Sequence, residues 1–413
     1  MISYDEARRL ILEQVAPLPQ ARVRIDSLLG SFLSQPVTAK FAMPRFDNSA
    51  VDGYGVLCAD LETASADKPA KLQLIGEIAA GSPEEFKLST GTAVKILTGG
   101  RVPPSVEAVV MKEYCEENYG FLHVSRSAQP AENIRRAGGE FRVGEQVLPA
   151  GVRVNPAVVG LLATLGYSSF TAYTKPRVAI VTTGDELIQP GHQLREGQIY
   201  DSNSFALQAA LASLGIEEWF VHHARDTMKS TKQAFNFAIE QADVILSSGG
   251  VSVGDYDYVK PTLEEMGVET IFWRIAVKPG KPVYFGTLEQ SRRKQKKLIF
   301  GLPGNPVSVL VTFNEFVKPA LLKLMGDTRH HSMLLPAILM KTLRKQAGRL
   351  DLIRGVLSLN DKGQLLVHPT VGQDSHMLSG LCLAECLIHF EHELELLSEG
   401  STVAVHILNW NAS

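Results

Sequence analysis

The stretch "SSGGVSVGDYDY" at 247–258 packs glycines, hydroxyl side chains and two aspartates directly behind the apolar run Val244-Ile245-Leu246. Glycines let backbone amides approach a ligand closely, and phosphate is the anion most often held this way. No Walker lysine stands in the loop. Two further loops combine small residues and turn formers in the same manner, "TTGDEL" at 182–187 and "GLPGNPVS" at 301–308. Ser248, Gly249 and Gly250 of the first loop are candidate anion contacts. Acids emerge from the same places: Asp185 and Glu186, Asp255 and Asp257, with Asp226 at the end of another strand-like run. Two unit charges about 4 Å apart repel by roughly 4 kcal/mol at an effective dielectric of about 20. Carboxylates gathered around a phosphate therefore require a cation between them, and Mg²⁺ is the natural one, since it takes carboxylate and phosphate oxygens together. Lys278 and Lys281 in "KPGKP" add point charges for anion oxygens.

The elements that must carry these loops are legible from residues 175 to 326. "RVAIVTT", "EEWFVHHA", "DVILSS" and "KLIFG" read as strands, and "DSNSFALQAALASLG" and "TKQAFNFAIEQA" as helices between them. Ser202, Asn203 or Ser204 is expected to cap the first helix and Gly215 to stop it. Val309, Leu310, Phe313, Phe316, Val317, Ala320, Leu321 and Leu324 recur at helical spacing and predict one long helix. Strands alternating with helices imply a doubly wound, mostly parallel sheet, in which ligands bind beyond the carboxyl ends of the strands.

The flanking regions differ. Residues 45–142 show short alternating runs cut by Gly and Pro and are expected to form a small β-rich domain; residues 327–413 suggest a C-terminal β domain. Residues 1–44 and 143–174 are expected to form a discontinuous helical and linker domain. In it the "NPAVVGLLATLG" helix would pack with the N-terminal one. The expected class is thus α/β multidomain, with residues 175–326 as its ligand-binding part. "RRKQKK" at 292–297 is expected to be a solvated hairpin tip, and "PRFDNSAVDGYGV" at 44–56 an irregular, hydrogen-bonded segment.

At 413 residues the chain calls for several domains, and a net charge of −3 carries no bias toward nucleic acid or anionic lipid. Four cysteines make no disulfide framework and suit a reducing compartment; Cys382 and Cys386, without a matching pair, are expected to be ordinary thiols. No apolar run approaches the ~20 residues that span a bilayer. The start of the chain reads as an amphipathic helix, not a signal peptide. A cytoplasmic protein with neither membrane nor nucleic-acid partner is expected.

"DNSAVDGYGV", "LTGGRVP", "AENIRRAGG", "TTGDEL", "YDSNS", "SSGGVSVGDYDYVK", "KPGKPVYFG" and "GLPGNPVSV", in that order, closely resemble the molybdenum insertases of molybdenum cofactor synthesis, the bacterial MoeA proteins and the E domain of gephyrin. The resemblance covers essentially the whole chain. It implies an elongated homodimer of four-domain subunits with the active site at the dimer interface. It also implies a Mg²⁺-dependent reaction in which adenylylated molybdopterin and molybdate give molybdenum cofactor and AMP. A molybdopterin adenylyltransferase and apo-molybdoenzymes would be transient partners. Carried over by motif, Asp52 is the essential aspartate and, with Glu186, the residue expected to handle metal or molybdate; Asp257 completes the implied metal set. Thr98, Asp226, Lys278, Lys281, Pro303, Pro306 and Ser375 match substrate-binding positions. The chain departs from the family where Gly139-Glu140 stands in place of Gly-Glu-Asp, which leaves Glu140 without an assigned role; Arg135 and Arg136 remain candidate anion contacts. Two other readings compete: the preceding adenylylation step, which needs only the central domain, and a non-catalytic cofactor carrier.

Overall fold

The computed structural model describes residues 1–250, 258–290, 293–329 and 333–408, and the chain divides into two compact units. One contains residues 1–34, 151–159 and 169–413; the other contains 35–150 and 160–168.

In the larger unit a six-stranded sheet runs in the order Trp219–Ala224, Val178–Thr183, Val244–Ser248, Arg293–Leu302, Tyr284–Gln290, Glu269–Trp273. The first four strands are mutually parallel, Tyr284–Gln290 runs against them and Glu269–Trp273 against it in turn, so the sheet is mixed with a parallel heart. Successive side chains of a strand point to opposite faces, and in the inner strands Val178–Thr183 and Val244–Ser248 both faces are buried. Val178, Ile180, Val244, Leu246, Leu298 and Phe300 join one apolar cluster with Leu207 and Leu211 of helix Ser202–Ser213. Ala179, Val181, Ile245 and Ile299 join another with Ala234, Phe235 and Ala238 of helix Met228–Gln241. Coverage of both faces is why these strands read as unbroken apolar runs.

Three local expectations are corrected or refined. Asp201, not Ser202, Asn203 or Ser204, caps helix Ser202–Ser213, its carboxylate accepting from the Ser204 amide at 3.0 Å; a carboxylate at that position meets the positive helix end. Gly215 does end the helix, at φ 82°. The long helix expected through 309–324 is continuous but not uniform, carrying a π-turn, Phe313–Val317, between its Pro306–Thr312 and Lys318–Leu324 segments. The basic run is strand rather than tip from residue 293 onward. Lys297 is buried there, its ammonium donating to the Ala242 carbonyl at 2.5 Å, so its charge replaces water with backbone oxygen.

The same unit carries a β barrel. Leu350–Leu359, Leu365–Pro369, Leu334–Leu339, Thr402–Ile407 and Cys386–Phe390 pair in that order, and Leu350–Leu359 closes on Cys386–Phe390. Closure removes exposed strand edges. The N-terminal helix Tyr4–Glu13 packs on the π-turn and on Lys318–Leu324, with Tyr4 set edge-on to Phe316.

The second unit holds its own six-stranded sheet, in the order Ala108–Met111, Gly53–Val56, Thr92–Ile96, Ala70–Ile78, Phe121–Val124, Cys115–Asn118. Its two faces are filled by separate apolar clusters, one around Leu72, Val110 and Leu122 and one around Ile78, Val94 and Ile96. Gly53 tolerates no side chain, because a Cβ there would lie 2.1 Å from the Val110 carbonyl oxygen.

Candidate active site

The strand-end loops of the larger unit leave the sheet at one level. Ser248 pairs in register with Thr182 on one side and Leu302 on the other, so "TTGDEL", "SSGG" and "GLPGNP" begin side by side. One side chain ties them together. Asn203, near the start of its helix, donates from Nδ2 to Ser248 Oγ at 2.9 Å and to the Gly304 carbonyl at 2.7 Å. With Asp201 serving as the cap, Asn203 is released from that duty. Its importance was invisible in the sequence because it depends on which strands are neighbours.

The glycines are there for room. A Cβ on Gly250, at φ 66°, would meet Val259 Cγ2 at 2.7 Å and Thr183 Oγ1 at 3.1 Å. A Cβ on Gly249, at φ 89°, would meet the Thr183 hydroxyl at 2.9 Å. Both φ values lie where L side chains are strained. Pro303 offers its carbonyl toward Ser248 Oγ at 3.5 Å, and Pro306 opens helix Pro306–Thr312. Ser375 reaches these prolines from the C-terminal part of the chain: it accepts from Asn305 Nδ2 at 2.8 Å, and its carbonyl accepts the Val307 amide at 3.2 Å.

Three described acids stand at these strand ends, Asp185 and Glu186 in "TTGDEL" and Asp226 just past strand Trp219–Ala224. Asp185 and Asp226 are interlocked, the Asp185 amide donating to Asp226 Oδ2 at 3.0 Å and the Asp226 amide to Asp185 Oδ1 at 3.4 Å. Glu186 is exposed, and its carboxylate folds back over Gly184, within 2.4 Å of where a Cβ would stand. Asp255 and Asp257 lie outside the described residues. Lys278 pairs in register with Asp351 of the barrel, their charged groups 3.7 Å apart. Burial pushes the Asp351 carboxyl above its usual range, with Lys278 opposing. Lys281 presents its side chain to solvent while its carbonyl accepts the Ile275 and Val283 amides.

In the smaller unit, Asp52 immediately precedes strand Gly53–Val56. Its Oδ1 accepts from the Thr98 amide at 2.8 Å and the Thr98 hydroxyl at 2.7 Å. Lys112 stands 3.7 Å from its other oxygen. The Thr98 amide first, then its hydroxyl, hold the Asp52 carboxyl below the ordinary range. One oxygen is thus anchored and the other left to a lysine and solvent. Asp47, which sequence reasoning did not single out, accepts from Arg136 at 2.6 Å and from the Ala137 amide at 2.7 Å. That pair engages one of the two candidate arginines; Arg135 lies in a short strand paired with Asn48, and Glu140 is exposed. Cys382 is exposed and Cys386 buried, so the two thiols do not share one environment.

Comparison with known proteins bears on the same segments. Residues 2–166 match the family described as MoeA N-terminal region (domain I and II), residues 179–323 a probable molybdopterin binding domain, and residues 336–408 the MoeA C-terminal region (domain IV). A Haemophilus influenzae molybdopterin molybdenumtransferase is 36% identical over 99% of each chain. A Bacillus subtilis relative of the same name is 30% identical over 98% of this chain and 94% of its own. The crystal structure of a molybdopterin biosynthesis moeA protein from Pyrococcus horikoshii OT3 superposes with a TM-score of 0.80 at 29% identity, covering 99% of this chain and all of that one. The class is therefore that of multidomain chains built around a doubly wound domain of the molybdopterin-binding type. The chain belongs to the MoeA family.

Proposed function

We propose that this protein is a molybdopterin molybdenumtransferase: adenylylated molybdopterin and molybdate are converted to molybdenum cofactor and AMP. The observation that carries the reading is the pairing of full-length similarity to relatives of that name with the geometry of Asp52, one oxygen anchored by Thr98 and the other turned outward. The Ser248-Gly249-Gly250 turn and the Pro303-Pro306 segment would bind the phosphate and nucleotide end of the substrate, with Asn203 keeping their spacing. Molybdate, a dianion, needs cationic donors and would be met by Lys278 and Lys281. Thr98 and Ser375 would orient the substrate through their hydroxyls. Four domains, bounded at 1–44 with 143–174, 45–142, 175–326 and 327–413, belong to the same proposal. So do a homodimer with its site at the interface, a cytoplasmic location, and transient contact with an adenylyltransferase and apo-molybdoenzymes. Among the described residues no helix is long and apolar enough to cross a membrane.

Mg²⁺ fits the donor set. Asp185, Asp226 and Glu186 offer hard carboxylate oxygens of the kind this ion takes, and Asp185 and Asp226 are steadied by each other's amides. In the proposed homodimer Asp52, Glu186 and Asp257 would hold the ion, and Asp226 would contact the substrate. When bound, the ion supplies charge neutralisation at the phosphoanhydride.

The test is a purified system with adenylylated molybdopterin, molybdate and Mg²⁺, read by AMP release and by activation of an apo-molybdoenzyme. Both should appear together. Accumulation of adenylylated pterin from ATP and molybdopterin would assign the chain to the preceding step instead, and activation without AMP release would make it a carrier.

A further inference from the structure

A second polar constellation uses none of the strand-end residues. Glu315 lies in the π-turn Phe313–Val317 and is fully buried; π-turns inside helices are frequent at functional sites. His389 and His406 come from neighbouring antiparallel barrel strands. The opposed pairs Leu387–His406 and His389–Ala404 place the two imidazoles diagonally on one face. Each histidine is 5% exposed, and one ligand atom from each of the three side chains lies within 4.8 Å of the others. His406 Nδ1 meets Glu315 Oε1 at 2.7 Å, whereas His389 Nε2 is buried without a hydrogen-bond partner. Buried polar atoms left in that condition are rare and call for a cause.

Two imidazoles and one carboxylate make up a donor set that zinc takes, with a fourth position left for water. Mg²⁺ and Ca²⁺ are poor candidates because they prefer oxygen throughout. A cavity of ≈350 Å³ lies beside His389, lined also by Tyr4, Arg8 and His392. We infer that Glu315, His389 and His406 bind a divalent transition metal of the zinc class, cross-linking the last helix of the doubly wound domain to the barrel. Metal–ligand bonds of about 2.0–2.2 Å set tetrahedral donors roughly 3.4 Å apart, so side-chain rotation has to close the present spacing. Binding exchanges the His406–Glu315 contact for bonds to the ion. The Tyr4 hydroxyl, 2.5 Å from Glu315 Oε2, and Asn314 Nδ2, 2.9 Å from Oε1, stay to orient the carboxylate. Arg8, 3.8 Å from Glu315 Oε2, faces the site with like charge and opposes the metal.

That opposition makes the test sensitive to sign. Co²⁺ titrated into the folded, full-length protein should give the intense visible d–d absorption of a four-coordinate site, bleached by Zn²⁺. His389→Ala and His406→Ala, checked for folding by circular dichroism, should lose the band, and His392→Ala should keep it. Arg8→Gln should bind Co²⁺ severalfold more tightly, whereas a plain salt-bridge network would only be weakened by it. Absence of the band, its survival in both histidine variants, or looser binding by Arg8→Gln overturns the assignment. If the histidine variants do not fold, zinc-edge anomalous scattering from soaked wild-type crystals decides. A peak bonded to the three side chains supports the site, and none there overturns it.

Discussion

Asp52 and the strand-end loops hold negative charge in opposite ways. Asp52 is a single carboxylate clamped by the amide and hydroxyl of one threonine, with a lysine at its free side. The loops instead collect acids whose fixing bonds are reciprocal: Asp185 and Asp226 steady each other, and Glu186 stays exposed. A clamped carboxylate is pre-organised and keeps its charge, whereas a cluster of mutually supporting acids must wait for a cation to relieve its repulsion. On the proposed function the first would act and the second would receive a cation.

Removing the clamped group should have the largest effect. Asp52→Ala is expected to slow cofactor formation on the order of 100-fold or more, with circular dichroism and nucleotide binding unchanged; maturation of an apo-molybdoenzyme at the normal rate would end its catalytic assignment. Filling the receiving side comes next. Gly250→Val, forced into φ 66° against Val259, should cost about 1–3 kcal/mol of stability and weaken AMP binding by calorimetry. Unaltered affinity would show that the loop does not hold the nucleotide. Asn203→Ala leaves the Gly304 carbonyl without its donor and should cost about 1–3 kcal/mol, raising KM more than it lowers kcat. A pure kcat defect would place Asn203 in the chemistry rather than in positioning. The smallest effect is a shift. Thr98→Val keeps the amide donor but loses the hydroxyl, so the Asp52 carboxyl rises toward the ordinary value of about 3.9. The acid limb of the pH–rate profile should then move to higher pH; movement the other way would mean Thr98 does not favour the ionised form.

The strands and their strand-end loops were legible because burial on both faces writes itself as continuous apolar runs ended by glycine. Local competition was harder to read. Asp201 outcompeted three neighbouring capping candidates because its carboxylate could reach the Ser204 amide. The helix expected through Val309–Leu324 kept its apolar spacing across the π-turn, so its pattern gave no sign that Glu315 would be turned inward. The basic run misled for a similar reason, since Lys297 is buried where its charge meets a backbone carbonyl 55 residues away in sequence.

What the order of residues determined alone is the alternation of elements, the glycine-rich exits from the strands, and the acids stationed there, since each depends on side-chain type and near neighbours. Tertiary structure decided which exits lie side by side, that Asn203 spans two of them, that Thr98 clamps Asp52, and that two barrel histidines face a glutamate from a distant turn. Such contacts join residues far apart in the chain, and sequence spacing carries no record of the register or packing that closes them.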